Sequence, residues 1–230
     1  MGTYDVLLMD LDDTLMDYRR DEKTALETVF TKFGLAFNEV NYLLFREING
    51  RLWKEHEAGL ITKEELLNTR FKAVFERLGR NVSGRDAEHF YRELLGKSLS
   101  LIDGALEFCE HFSKSHTLCV VTNGSRQTQI QRLELTGLGQ YFKHIFISED
   151  IGKPKPFPEF FEYVFKALPG IPPERMLITG DTLEADVRGG LDAGMDACWF
   201  NPSGLENYLE LPLTYEIRSL SELAAILDVK

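Results

Sequence analysis

Tyr4-Asp5-Val6-Leu7-Leu8-Met9-Asp10-Leu11-Asp12-Asp13-Thr14 sets a short apolar run directly before three carboxylates in four residues. Such a run reads as a strand covered on both faces, with polar groups at its carboxyl end. Crowded carboxylates repel one another, so a fold keeps them only where a cation, a proton or solvent relieves the charge. Taken alone, the cluster could also be a solvated turn or a helix cap, since acidic strand ends are common.

Working outward, residues 116–121 form a second apolar run, ending in Thr122-Asn123-Gly124-Ser125. Residues 144–147 end in Ser148-Glu149-Asp150, residues 175–179 in Gly180-Asp181, and residues 196–200 in Asn201-Pro202. Helical spacing fills residues 127–135, 158–168 and 183–193 between them. Alternating buried strands and helices predict an α/β core, a parallel sheet with helices on both faces. Ligands of such sheets sit beyond the carboxyl ends of the strands, where these polar sets fall. Residues 214–217 and 219–227 read as a last strand and helix, with Ser219 as N-cap and Glu222 three residues on.

Residues 17–101 break the alternation. Leu26, Val29, Phe30 and Phe33 make one helical stripe, and Leu44, Ile48 and Leu52 a second. Leu67, Phe71, Val74, Phe75 and Leu78 make a third, and Ala87, Phe90, Tyr91, Leu94 and Leu95 a fourth. Gly34, Gly59, Gly79 and Gly84 read as breaks between them. The expected organisation is a core of residues 1–16 and 102–230 with an all-α insert of residues 17–101, Gly104 serving as a hinge.

Composition narrows the function. A net charge of -11 disfavours nucleic acid polymers and anionic membranes as partners. Cys109, Cys119 and Cys198 form no CxxC pair and suit buried, reduced thiols. The amino terminus lacks a basic flank, so no signal peptide is read there, and no apolar run reaches the ~20 residues of a membrane span. The expected address is cytoplasmic, and the oligomeric state is left open.

The strand-end residues assemble into one chemistry. Asp10, Asp12 and Asp181 could converge on a hard cation, and oxygen ligands of this kind suit magnesium (Mg2+). Asp186 adds a further carboxylate nearby in sequence. The five His residues show no metal-ligand spacing, which argues against zinc. Thr122 offers a hydroxyl, the Asn123 and Gly124 backbone offers donors, and Lys155 offers positive charge. Together they suit a phosphoryl group on a small phosphorylated metabolite.

Asp10-x-Asp12-x-Thr14, then Thr122, Lys155 and Gly180-Asp181 with Asp186, resembles the haloacid dehalogenase superfamily, with Asp13 where a glycine is often found. The resemblance implies a Rossmann-like core and a helical cap inserted after the first motif. Around Trp53-Lys54-Glu55-His56-Glu57 and Arg70-Phe71 the insert looks most like that of bacterial pyrimidine 5'-nucleotidases. It further implies that Asp10 attacks phosphorus to form an aspartyl-phosphate. Asp12 would protonate the leaving oxygen, later take a proton from water, and give the metal only its backbone carbonyl, its side chain staying free. Asp181 would ligate the metal, and Asp186 would act through a water or by holding Lys155. Mg2+ and Lys155 would neutralise the phosphoryl oxygens while Thr122 and the Asn123 and Gly124 amides position them. A lid would exclude water, with Arg51, Trp53, Lys54, His56 and Arg70 as candidate substrate contacts. A haloacid dehalogenase would use neither Asp12 as proton donor nor a metal. A phosphosugar mutase would return the phosphoryl group to substrate, and a non-catalytic phosphate-binding module would need neither Asp10 nor Asp12.

Overall fold

A computed structural model describes residues 4–228; the first three and last two residues assigned to the core lie outside the described residues. The element that fixes the architecture is β1 (Val6–Met9), every residue of which is buried. Its side chains alternate between two apolar layers. Leu7 and Met9 join one layer, Val6 and Leu8 the other. β2 (Thr117–Thr122), β3 (His144–Ile147), β4 (Met176–Gly180), β5 (Asp196–Phe200) and β6 (Tyr215–Ile217) complete a six-stranded sheet in the order β3-β2-β1-β4-β5-β6. All pairings are parallel. In register, Leu8 lies between Cys119 and Ile178, so the carboxyl ends of β2, β1 and β4 finish side by side. The α/β class read from the run pattern is the observed one.

One layer is closed by α5 (Ala105–Phe112), α6 (Arg126–Thr136) and α10 (Leu220–Asp228), through Phe108, Phe112, Leu133, Leu220 and Leu223. The other is closed by α8 (Pro158–Ala167), through Phe160, Phe161 and Val164. Short helices α7 (Ser148–Ile151) and α9 (Gly189–Asp192) follow β3 and β4. Ser219 does accept from the Glu222 amide, at 3.4 Å, but the Glu222 carboxylate returns to the Arg218 amide instead of closing a capping box. The three cysteines are free and buried, and burial pushes each thiol up to about 12. No helix among the described residues is long and apolar enough to cross a membrane.

The chain divides into two compact units, Met1–Tyr18 with Leu99–Lys230, and Arg19–Ser98. The second carries α1 (Tyr18–Lys32, its first residue excepted), α2 (Glu39–Glu57), α3 (Lys63–Arg77) and α4 (Gly84–Gly96). Its interior is aromatic: Phe45, Phe71 and Tyr91 meet with ring centroids 5.1–5.8 Å apart. Gly84, read as a break, opens α4.

Arg70 corrects an expectation. As a candidate substrate contact it should reach solvent, yet it is 2 % exposed. Its guanidinium donates to both Glu88 carboxylate oxygens at 2.6 and 2.8 Å and to Asn49 Oδ1 at 3.0 Å. It also lies 4.8 Å from the Tyr91 ring centroid. Arg70 is therefore a structural cation of the helical unit, paired because an unpaired buried charge would be prohibitive. Trp53, the other prominent candidate, is half-buried and packs edge-on to His56. Arg51 is tied to Glu55 at 2.8 Å on the surface.

Arg70→Ala removes both close donors to the buried Glu88 carboxylate, leaving it Arg92 Nε at 3.4 Å, and is expected to destabilise the protein by about 3 kcal/mol. Arg51→Ala should change stability by less than about 1 kcal/mol. Urea denaturation of the two variants beside the wild type measures the difference.

Candidate active site

At the end of β1 the ladder continues one residue further, with the Asp10 amide donating to the Thr179 carbonyl at 2.9 Å. This backbone tie holds Asp10 at the sheet's central position, where it is 7 % exposed. The chain then turns tightly: the Leu15 and Met16 amides both reach the Leu11 carbonyl, and the Asp13 amide donates to Met16. Asp13 takes φ 58°, the left-handed region that glycine enters freely and Asp tolerates better than most residues. That is the physical reason a short polar residue can stand where relatives of the motif often carry glycine.

Lys155 is the hub of the site. It is 1 % exposed, and its ammonium spends all three N–H donors. They go to Asp10 Oδ1 at 2.8 Å, Asp186 Oδ1 at 2.5 Å and the Val121 carbonyl at 2.7 Å. Burial works against the ammonium, but the Asp10 and Asp186 carboxylates outweigh it and its pKa moves upward. What Lys155 offers the site is its charge; a direct bond to a phosphoryl oxygen would require it to release one partner. The Asn123 side chain holds it in place, accepting from the Lys155 amide at 2.9 Å and donating to the Lys155 carbonyl at 3.0 Å. The sequence pointed to the Asn123 backbone; the side chain's clamp was missed.

Asp186 reaches Lys155 through an unusual turn. Residues Leu183–Arg188 form a π-helix, where a single regular helix over residues 183–193 was expected. The Asp186 and Val187 amides share the Thr182 carbonyl at 3.0 and 3.2 Å. The wider turn tips the Asp186 carboxylate back, so that Oδ2 accepts from the Thr182 amide at 3.1 Å while Oδ1 meets Lys155. Such insertions concentrate at functional sites. The carboxylate then lies against Gly180, where an added Cβ would stand 2.2 Å from Asp186 Cγ. Asp181 is steadied by the Trp199 indole, which donates to its carbonyl at 2.9 Å.

Asp10, Asp181 and Asp186 each offer an oxygen, and these three atoms lie within 4.8 Å of one another. Burial pushes the Asp10 carboxyl up to about 8, with Asp186 and Asp12 adding repulsion and Lys155 opposing. A hard, oxygen-preferring dication fits this donor set, because three clustered carboxylates exceed the charge of one lysine.

The Asp12 side chain lies outside that oxygen set and is held by α6. Oδ1 accepts from Arg132 Nη1 at 2.5 Å and Oδ2 from Gln129 Nε2 at 2.6 Å. Gln129 Nε2 also reaches Thr122 Oγ1 at 3.0 Å, and that hydroxyl accepts from the Gly124 amide at 3.0 Å. Arg132 and Gln129 were missed because residues 127–135 read only as helix, and apolar periodicity does not show a polar side turned inward. Their i, i+3 spacing, directly after Thr122-Asn123-Gly124, was the available signal.

Sheet topology and a strand-end cluster of buried carboxylates around one lysine define an α/β enzyme centre of the hydrolase type. The family model for haloacid dehalogenase-like hydrolases matches residues 4–194, and the chain belongs to that family. It is 40% identical over 230 residues to the HAD-hydrolase YfnB of Bacillus subtilis, covering 100% of this chain and 98% of the other. A crystal structure of YfnB bound to magnesium superposes with a TM-score of 0.94, covering 99% of this chain and 100% of that one. The pyrimidine 5'-nucleotidase PynA of Streptococcus pneumoniae is 35% identical, with 98% and 95% of the two chains covered. The pyrimidine 5'-nucleotidase YjjG of Escherichia coli is 30% identical, with 97% and 98% covered.

Gly180→Ala should cost about 1–3 kcal/mol, because the new methyl meets the Asp186 carboxylate. In the background of Asp186→Ala the same substitution should cost much less. A double-mutant cycle by chemical denaturation reads the coupling.

Proposed function

We propose that the protein is a magnesium-dependent phosphomonoesterase that works through an aspartyl-phosphate on Asp10 and acts on nucleoside 5'-monophosphates. The observation that carries the reading is the buried Lys155 ammonium set between Asp10 and Asp186, with the Asp181 oxygen completing an acidic cluster. Asp10, Asp181 and Asp186 would hold the cation, Asp186 while also holding Lys155, and the Asp12 backbone carbonyl would add a further ligand. When bound, the dication offsets the carboxylates' repulsion of an incoming phosphate and stabilises charge on its oxygens.

In the first half-reaction an Asp10 carboxylate oxygen bonds to phosphorus and the ester bond breaks. Asp12 gives the departing oxygen a proton. The Thr122 hydroxyl and the Asn123 amide would orient the phosphoryl oxygens, joined by the Gly124 amide only if it releases Thr122 Oγ1, with Lys155 supplying charge. In the second half-reaction water attacks phosphorus, Asp12 takes its proton, and the Asp10 carboxylate is regenerated. The nucleotide branch is supported by similarity to PynA and YjjG along nearly the whole chain. A haloacid dehalogenase would leave Asp12 and its buried holders without work.

The purified protein is expected to hydrolyse p-nitrophenyl phosphate with Mg2+ and to lose that activity in EDTA. Asp10→Asn should abolish turnover, and Asp12→Ala should lower kcat by about 10²–10⁴-fold. Full activity in Asp10→Asn would remove the nucleophile from the scheme. A phosphate-release screen over nucleotides, sugar phosphates and phosphoacids should rank pyrimidine 5'-monophosphates first; a flat profile would end the nucleotidase branch alone.

A further inference from the structure

We propose that Arg132 and Gln129 are positioning residues for Asp12, orienting its carboxylate to take the proton from the water that hydrolyses the phosphorylated Asp10. The inference rests on the mechanism proposed above and assigns work to two residues that it leaves idle.

Both donors come from one face of α6, three residues apart. Arg132 takes one carboxylate oxygen at 2.5 Å and Gln129 the other at 2.6 Å. With one donor on each oxygen the plane of the carboxylate is set, and each oxygen keeps a lone pair for a further partner. The holders are enclosed while the held group is accessible: the side chains of Arg132 and Asp12 are 1% and 29% exposed. The holders are themselves fixed. Gln129 Oε1 accepts from Arg132 Nη1 at 3.2 Å, and the Arg132 guanidinium lies 5.9 Å from the Tyr18 ring centroid. Room for Gln129 exists only because residue 124 is glycine, whose absent Cβ would fall 2.1 Å from Nε2.

Burying an arginine almost completely is expensive, and an apolar residue of similar volume would pack there at lower cost. Arg70 bears the same cost as a structural cation, but its carboxylate partner is itself buried, with a side chain 4% exposed, whereas that of Arg132 is 29% exposed at the site. With one donor on each oxygen, the direction of the remaining lone pairs is fixed, and that orientation is what taking a proton from the attacking water needs. As the water oxygen bonds to phosphorus, its proton passes to the Asp12 carboxylate. The bond from phosphorus to the Asp10 oxygen breaks, its electron pair stays with Asp10, and inorganic phosphate departs. The proton now on Asp12 is the one available to the next leaving group. p-Nitrophenolate leaves with little protonic help, so with that ester the cradle should matter most in the water step.

Stopped-flow hydrolysis of p-nitrophenyl phosphate with Mg2+, comparing wild type with Arg132→Met, Arg132→Lys and Gln129→Leu, separates the two halves. The expected result for Arg132→Met is a kcat lower by about 10²-fold. Its kcat/KM, which reports only steps through p-nitrophenolate release, should fall by less than about tenfold. A burst approaching one p-nitrophenolate per enzyme should appear, with phosphate trapped on protein after acid quench. Arg132→Lys should lie between it and wild type, since it keeps the charge without the planar fork. Equal losses in kcat and kcat/KM without a burst, or a wild-type kcat in Arg132→Met, would overturn the proposal. Should Arg132→Met fail to fold, as judged by circular dichroism, the burst in Arg132→Lys and Gln129→Leu decides. A wild type inert towards the ester would instead refute the phosphatase reading itself.

Discussion

An ammonium buried to 1 % exposure cannot stay charged without partners, and the core around Lys155 is arranged to supply three. One is a carbonyl on β2, one a carboxylate at the end of β1, and one a carboxylate beyond β4. Only a sheet in which β2, β1 and β4 are adjacent and parallel brings those groups to one point. The same lysine leaves the local charge unbalanced, since Asp10, Asp181 and Asp186 outnumber it. Stability of the empty cluster and affinity for a dication are thus in opposition. Burial resists ionising Asp10, and an added positive charge would favour the ionised form that a nucleophile requires.

The features legible in the sequence were those that express themselves as apolar runs. A strand covered on both faces must be continuously apolar, so β1 announces its own end, and Asp10 with it. Asp181 and Thr122 follow by the same logic at β4 and β2. The helix α6 hides its function because its buried side includes Thr128, Gln129 and Arg132. Periodicity weighs apolar residues, and a polar face turned inward looks the same as one turned to water. Arg70 carries the reverse lesson. An arginine on a cap helix could meet substrate or close a salt bridge, and Glu88 and Asn49, both distant in sequence, decide for the second.

Hydrogen-bond register was also invisible. Nothing in the spacing of Leu183, Val187 and Leu191 distinguishes a regular helix from one with a wide first turn. The distinction matters because the wide turn is what lets Asp186 touch both Thr182 and Lys155. Gly180 is the trace of this turn in the sequence, and its meaning appears only once the Asp186 carboxylate is seen against it.

The site therefore divides into two parts held by different means. Lys155 and Asp186 are locked by burial, with side chains 2% exposed, and by backbone partners. Asp12 sits on a tight turn beside a left-handed residue, more exposed than either, and its carboxylate accepts from the Arg132 and Gln129 side chains. Electrostatic stabilisation gains from rigidity, because dipoles and charges already aligned need no reorganisation as charge develops. Proton transfer makes a different demand, since in the proposed mechanism one group would serve two oxygens, first the leaving group's and then the water's. A carboxylate fixed by an arginine and an amide, with a lone pair left on each oxygen, would serve both without moving, because they occupy the site in turn. In the proposed mechanism, a nucleophile at the end of β1 and a proton carrier on the turn after it would meet both demands within three residues of chain.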